Sequence, residues 1–252
     1  MQMMILKTPT QIEKIKISCK IVADFLNNLK TLVTPGITTN DLEKVANDMA
    51  SLNNSAAGFK GYNEYPYAIC ASVNNHVVHG FPSNTLLKDG DVLSVDFGIL
   101  KDQFYGDAAI TLPVGNVTKQ NQKLIDTTKE CLYKGIEKAI AGNRIGDISN
   151  AIQLHAESNG YSVVREFVGH AVGKELHERP QVPNYGKINK GAILKAGMVL
   201  AIEPMLIEGT DCRVFRESNG WTISTVSGRY AAHFEHTIEI TEGAPNILSC
   251  IA

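Results

Sequence analysis

Leu87-Lys88-Asp89-Gly90-Asp91-Val92-Leu93-Ser94-Val95-Asp96 returns in the second half of the chain as Leu194-Lys195-Ala196-Gly197-Met198-Val199-Leu200-Ala201-Ile202-Glu203. Leucine, lysine, glycine, valine and leucine recur at matching places, and each copy runs through a short apolar stretch onto a carboxylate. Neither copy is of low complexity. The match points to two halves of a duplicated fold whose equivalent strands deliver acids to a shared centre.

Three further polar groups end apolar, strand-like runs: Asp107 in Tyr105-Gly106-Asp107, His170 in Phe167-Val168-Gly169-His170, and Glu235 in His233-Phe234-Glu235-His236. Carboxylates are rarely buried without a partner, and no lysine or arginine lies within three residues of Glu203 or Glu235. A hairpin of residues 92–100 and 103–111 around Lys101-Asp102 would set Asp96 directly opposite Asp107; a three-residue loop would offset them by one. At ~5 Å and an effective dielectric of ~20 each like-charge pair costs about 3 kcal/mol, so four converging acids cost on the order of 20 kcal/mol. A whole domain is stable by only about 5 to 15 kcal/mol. If the four converge, cations hold them. The alternative, that all four are solvated or salt-bridged strand ends, leaves the repeat unexplained.

The 252 residues can bury a sizeable core within one domain. A net charge of −2 gives no bulk pull toward nucleic acid or an anionic membrane. Cys19, Cys70, Cys131, Cys212 and Cys250 are scattered, odd in number and free of any Cys-x-x-Cys, which fits a reducing compartment. Met1-Gln2-Met3-Met4-Ile5-Leu6-Lys7 lacks a signal-peptide core, and no segment reaches the ~20 apolar residues of a membrane span. The expected location is the cytoplasm.

Apolar spacing predicts a helix over residues 10–32, stopped by Pro35-Gly36, and a second from Asn40 to about Asn53 with Glu43 in a capping box. Residues 86–111 read as two strands, 118–141 and 147–159 as helices, the latter closed by Gly160. Strands follow at 162–164, 199–206, 221–226 and 234–241. Helices then strands in each half predict an α+β fold, with helices outside a curved, largely antiparallel sheet.

Carboxylates with one imidazole suit manganese, cobalt, iron or zinc. Four acids exceed the needs of one such ion, whereas two divalent ions sharing bridging carboxylates balance the charge and activate water for hydrolysis. Small neighbours leave space around His170, and His79 ends an apolar run at a tight turn in Val77-Val78-His79-Gly80-Phe81-Pro82. His177 follows His170 by seven residues. His233 shares a strand face with Glu235 and competes as a ligand, His236 faces the other way, His76 is expected at an exposed turn, and His155 reads as structural. No Gly-x-Ser-x-Gly, Walker loop, Gly-x-Gly-x-x-Gly or His-Glu-x-x-His occurs.

The order Asp96, Asp107, His170, Glu203, Glu235, with Gly169-His170, Ile202-Glu203-Pro204-Met205 and Glu235-His236-Thr237, resembles the pita-bread metallopeptidases and, within them, the type I methionine aminopeptidases. Ser72-Val73-Asn74, His79-Gly80-Phe81-Pro82, Gly186 after Pro180-Gln181-Val182, and Asn219-Gly220-Trp221-Thr222 extend the likeness over nearly the whole chain. Only 32 residues separate His170 from Glu203, where type II enzymes carry a large helical segment toward that region. The resemblance implies a pseudo-twofold pita-bread fold as one metalloaminopeptidase domain over residues 1–252. It implies two divalent metal ions (manganese, cobalt, iron or zinc): Asp107 and Glu235 bridging, Asp96 on one ion, His170 and Glu203 on the other. Glu203 would accept a proton from the attacking water. His177 would hydrogen-bond the scissile carbonyl and His79 would contact the scissile amide. Phe59, Tyr62, Tyr65, Cys70 and Trp221 would line the methionine pocket, their alternative being plain core packing.

The implied reaction is removal of N-terminal methionine from nascent proteins and peptides whose second residue is small, by a cytoplasmic monomer. No nucleic acid or membrane is required. A transient ribosome contact could use Lys14, Lys16 and Lys20 on one helix face, against the simpler reading of a solvated face. Alternatives are a proline-specific peptidase and a non-catalytic binding protein on the same scaffold. Ala171, Ala108, Leu176 and Phe59 depart from the family's usual residues, the first two being expected to alter the metal's surroundings.

Overall fold

The computed structural model describes residues 5–250. Helix α1 (Pro9–Leu32) starts with Pro9 at its first position and a capping box in which Thr8 and Gln11 satisfy each other's backbone donors. Helix α2 (Thr39–Leu52) is capped two residues earlier than expected, by Thr38 with Asp41. The anticipated capping role of Glu43 is wrong. Its carboxylate instead accepts hydrogen bonds from the Ala68 and Ile69 amides at 2.9 to 3.1 Å, anchoring a strand start. Helix α3 (Lys119–Ile136) ends before residue 141, because the chain turns to bury Ala139 and to offer the Gly142 amide to the Leu194 carbonyl. Helix α4 (Ile145–Ser158) begins two residues early, where the Asp147 carboxylate accepts from the Arg144 amide at 2.7 Å.

The strands of the first half are β1 (Ala56–Ala57), β2 (Ile69–Val73), β3 (His76–Val78), β4 (Val92–Lys101) and β5 (Phe104–Pro113). The second half adds β6 (Tyr161–Val163), β7 (Gly169–Ala171), β8 (Glu178–Val182), β9 (Val199–Ile202) and β10 (Met205–Glu208). After these come β11 (Val214–Arg216), β12 (Ile223–Thr225), β13 (Ala231–His233), β14 (Glu235–Glu239) and β15 (Asn246–Ile247). The main sheet runs β1-β4-β5-β14-β9-β7-β8, with β2 also on β4 and β15 on β14. Each of these pairings is antiparallel. Two small sheets, β13-β10-β6 and β11-β12-β3, stand beside it.

Duplication is visible in hydrogen bonds. The Gly36 amide donates to the Leu87 carbonyl and Leu87 returns a bond to Ile37; Gly142 and Leu194 do the same, with Leu194 returning to Asn143. Single bridges Thr38–Leu86 and Arg144–Ile193 complete the match at the two helix starts. The pseudo-twofold relation therefore places β4 and β9 outside, and β5 and β14 along the centre. This is the pita-bread arrangement of mixed helices and antiparallel strands.

The main core lies between helices and sheet, where Phe25 of α1 meets Phe97 of β4 with ring centres 4.6 Å apart. Helix α1 packs tightly on β5 at Gly106, where an added Cβ would lie 2.4 Å from the Cys19 backbone nitrogen. Backbone cannot move aside as a side-chain tip can. Gly106→Ala is expected to cost about 2 kcal/mol or more, read as a lowered urea midpoint. An unchanged midpoint would refute this close packing. No helix among the described residues is long and apolar enough to cross a membrane.

Two expected strands are broken at one place. Residues 199–206 split at Glu203-Pro204, where proline has no amide for the ladder, and residues 234–241 begin only after Phe234. Met205 pairs with His233 on one side of the break and Ile202 with His236 on the other. Both chains thus pass from the main sheet to a small one together, and Glu203 and Glu235 sit at that corner.

Candidate metal centre

The turn between β4 and β5 is Asp102-Gln103, with Lys101 paired to Phe104. Both turn residues have positive φ, 49° and 69°, as a two-residue hairpin with the sheet's twist requires. The sequence reading placed the turn one residue early, so its direct Asp96–Asp107 opposition is corrected. Asp96 faces Ala109, and Asp107 faces Gly98. The two acids are diagonal neighbours on one face. Glu235 faces Ala109 from the other side, so three carboxylates surround that small residue.

Glu203 joins them from the corner, and His170 arrives on β7 opposite Ala201. His170 Nε2 lies 3.4 Å from Glu203 Oε1, and its Nδ1 is 3.2 Å from the Ala171 carbonyl. A bond from Nδ1–H to that carbonyl leaves the Nε2 lone pair for the centre. One donor atom each from Asp107, His170 and Glu235 lies within 4.8 Å of the others. His233 brings Nε2 to 3.7 Å from Glu203 Oε2.

Burial pushes the Asp96 carboxyl up to about 7. Burial also holds Asp107 well above the usual carboxylate range, reinforced by Glu235 and Asp96. Glu203 and Glu235 are raised for the same reason, first by burial and then by neighbouring acids. Asp96 Oδ1, Asp107 Oδ1 and Glu235 Oε1 are buried with no hydrogen-bond partner. Leaving such atoms unsatisfied costs about 1 to 3 kcal/mol each, more when charged. Divalent cations fit this donor set, because they satisfy orphaned acceptors and neutralise the acids in one arrangement.

Around the acids lies a cavity of about 200 Å³ whose lining includes every residue singled out from the sequence for the metal, catalytic and pocket roles. His79 follows β3 at φ 57°, uncommon for a non-glycine residue and found at functional sites. The next residue must be glycine, since a Cβ at Gly80 would sit 2.3 Å from the Ala71 carbonyl oxygen. Burial pushes His79 down to about 4 and His170 to about 3, so both rings are neutral at neutral pH. His177, open to the cleft, stands 4.3 Å from His170 between ring centres and 2.8 Å from the Tyr62 hydroxyl through Nδ1.

Phe59, Tyr65, Cys70 and Leu176 form a buried cluster, against which Tyr62 and Trp221 pack. Phe59 lies over Gly98, where an added Cβ would come within 2.5 Å of its ring. Tyr65 sets its edge against Trp221 at 5.0 Å and donates its hydroxyl hydrogen toward the Ile69 and Gly80 carbonyls. Cys70 is paired with Asp96 across β2 and β4, and burial raises its thiol well above the ordinary value. It therefore acts as an uncharged wall. Asn63, Val78, Phe167, Val168 and His233 also line the cavity. Of these, only His233 carried a signal in the sequence, its shared face with Glu235.

Several expectations need correcting. Ala171 sets no methyl beside the metal site, and a hydroxyl in place of Ala108 would not face it: each follows an inward residue on its strand, so each points into the helix-side core. His76 is half-buried on β3 rather than at an exposed turn. His155 is held by Glu130 at 2.8 Å, and His236, on the opposite face from Glu235, by Ser249 at 3.0 Å.

The model of metallopeptidase family M24 matches residues 13–242. A methionine aminopeptidase of Clostridium perfringens is 47% identical over 99% of this chain and 100% of its own length. Methionine aminopeptidase 1 of Bacillus subtilis is 46% identical over 98% and 99%. The crystal structure of the Thermotoga maritima methionine aminopeptidase superposes with a TM-score of 0.96 at 46% identity, covering 98% of this chain and 99% of that one. A Pyrococcus horikoshii prolidase shares the fold at 20% identity and a TM-score of 0.78, with 64% of its chain covered.

Proposed function

The chain belongs to metallopeptidase family M24, among its methionine aminopeptidases, and we propose how its residues remove an N-terminal methionine with divalent metal. Asp107 and Glu235 would be shared by two divalent ions, with Asp96 holding one of them and His170 with Glu203 the other. Bound there, such ions, drawn from manganese, cobalt, iron or zinc, would supply an activated water and polarise the first peptide carbonyl. Glu203 would accept the proton that such a water loses. Tyr62 donates its hydroxyl hydrogen to His177 Nδ1, which keeps the proton of that ring on Nε2 for the carbonyl oxygen. His79 contacts the scissile amide and its departing nitrogen. Phe59, Tyr62, Tyr65, Cys70 and Trp221 enclose the methionine side chain, and a confined space beyond the scissile bond admits only a small second residue.

The observation that carries this reading is the convergence of three partnerless carboxylate oxygens with an imidazole at the base of an aromatic pocket. Purified, chelator-stripped protein titrated with each metal is expected to release methionine from Met-Ala-Ser but not from Met-Lys-Ser. Equal release from both would remove the second-residue rule, and no release with any metal would overturn the reaction. Residues 1–252 act as one metalloaminopeptidase unit, a reading supported by a core that draws on residues from Ile21 to Ile240. The protein works as a monomer in the cytoplasm on peptide or nascent-chain N-termini. A transient ribosome contact would use the α1 lysines, although Lys16 lies 3.8 Å from Glu13 and Lys20 3.0 Å from Asp24 on the same helix.

A further inference from the structure

We propose that Lys7 is a positioning residue, holding through Glu178 the loop that presents His177; this rests on the role given above to His177. Lys7 Nζ lies 2.5 Å from Glu178 Oε2, with side-chain exposures of 3% and 8%. The other carboxylate oxygen, Glu178 Oε1, accepts from the Lys174 amide at 3.0 Å and the Glu175 amide at 3.4 Å. One carboxylate therefore closes the turn 173–178 from within. The pair occupies the space a side chain at Gly173 would need, since an added Cβ would meet Glu178 Oε1 at 2.2 Å and Lys7 Cε at 2.6 Å. The loop is tied down at its start as well, the Tyr105 amide donating to the Gly173 carbonyl at 2.8 Å. Lys7 is itself fixed by its backbone amide, which donates to the Gly197 carbonyl at 2.7 Å.

A buried ion pair is poor evidence of stability, because apolar side chains of similar size often serve as well. What an apolar pair cannot supply is a fixed acceptor for two loop amides. The lysine charge keeps the Glu178 carboxylate inside, where it receives those amides. Without that charge, the carboxylate gains by turning toward water and the turn loses its closure. His177 is the residue immediately before Glu178, so its ring moves with the turn, and small misplacements of a catalytic group are costly in rate.

The test uses the full-length, metal-loaded enzyme and the single variants Lys7→Met, Lys7→Arg and His177→Ala, with Lys7→Met/Glu178→Gln and Lys7→Met/His177→Ala. Lys7→Met is expected to lower kcat about tenfold with KM within about twofold, and to speed hydrogen exchange at the Lys174 and Glu175 amides. Lys7→Arg, and Glu178→Gln placed beside Lys7→Met, should restore both protection and most of the rate, since the first keeps the charge and the second keeps an acceptor without burying an unpaired one. In the His177→Ala background Lys7→Met should cost nothing further. An equal loss in both backgrounds, unchanged amide protection, or wild-type kcat in Lys7→Met would each overturn the proposal. If Lys7→Met does not fold, failure of the Glu178→Gln combination to regain amide protection overturns it. Full activity in His177→Ala alone would instead refute the role of His177.

Discussion

Asp107→Asn is expected to lower metal-dependent turnover by about a thousandfold or more, roughly 4 kcal/mol of transition-state stabilisation. The carboxylate lies between Asp96 and Glu235, and its partnerless Oδ1 is one of the atoms a cation would satisfy. An amide has the same shape but gives up the charge that draws metal. The same substitution should leave the chelator-stripped protein at least as stable as the parent, because it deletes a buried acid that like charges oppose. Metal should then raise the melting temperature of the parent far more than that of the variant. Turnover near the parent's would remove Asp107 from the centre, and an equal loss of stability in both stripped and loaded forms would mark it as structural.

Above about pH 6.5, where His79, His170, His233 and His236, whose folded values burial depresses, are neutral folded and unfolded alike, stability of the stripped protein should fall as pH rises to about 8, the reverse of the usual behaviour for paired acids. The sign follows from the direction of the shifts: these carboxyls have folded values above the unfolded range near 4. At these carboxyls the folded chain therefore holds more protons, and stability present at low pH is lost as pH rises toward the folded values, about 7 for Asp96 and well above the ordinary carboxylate range for its three neighbours. Cations that bind the ionised acids should abolish the slope and release protons on binding. Urea unfolding of stripped and loaded protein at several pH values measures the first effect, and calorimetry in buffers of different ionisation enthalpy the second. Stripped protein that gains stability between about pH 7 and 8 would show that the four acids do not share a buried site.

The centre was legible because its residues violate local rules in the same way twice. Asp96 and Glu203 end equivalent apolar runs, and such runs have no local reason to end on charge. The fold class followed from the helix-then-strand order of each half. Register was misread because Asp102-Gln103 adopts positive φ at both positions without the asparagine or glycine that advertises such a turn. Glu43 looked like a cap because spacing alone cannot see the Ala68 and Ile69 amides, 25 and 26 residues away. The environment assigned to Ala171 and Ala108 could have been corrected from the sequence. Strand alternation sends a residue following an inward-facing one to the opposite side. Lys7 was silent because its partner is 171 residues distant.

The seam between β5 and β14 carries a consequence for fragments of the chain. Only Ala108–His236 and Ala109–Glu235 are paired across it, yet the acids of the two halves meet there. Cut within residues 114–118, between β5 and α3, the chain would yield one piece with Asp96 and Asp107 and another with His170, Glu203 and Glu235. Each piece would hold an incomplete donor set and an exposed sheet edge. Catalysis would then behave as a bimolecular property: absent from either fragment, recovered on mixing, and dependent on the product of their concentrations until the seam closes.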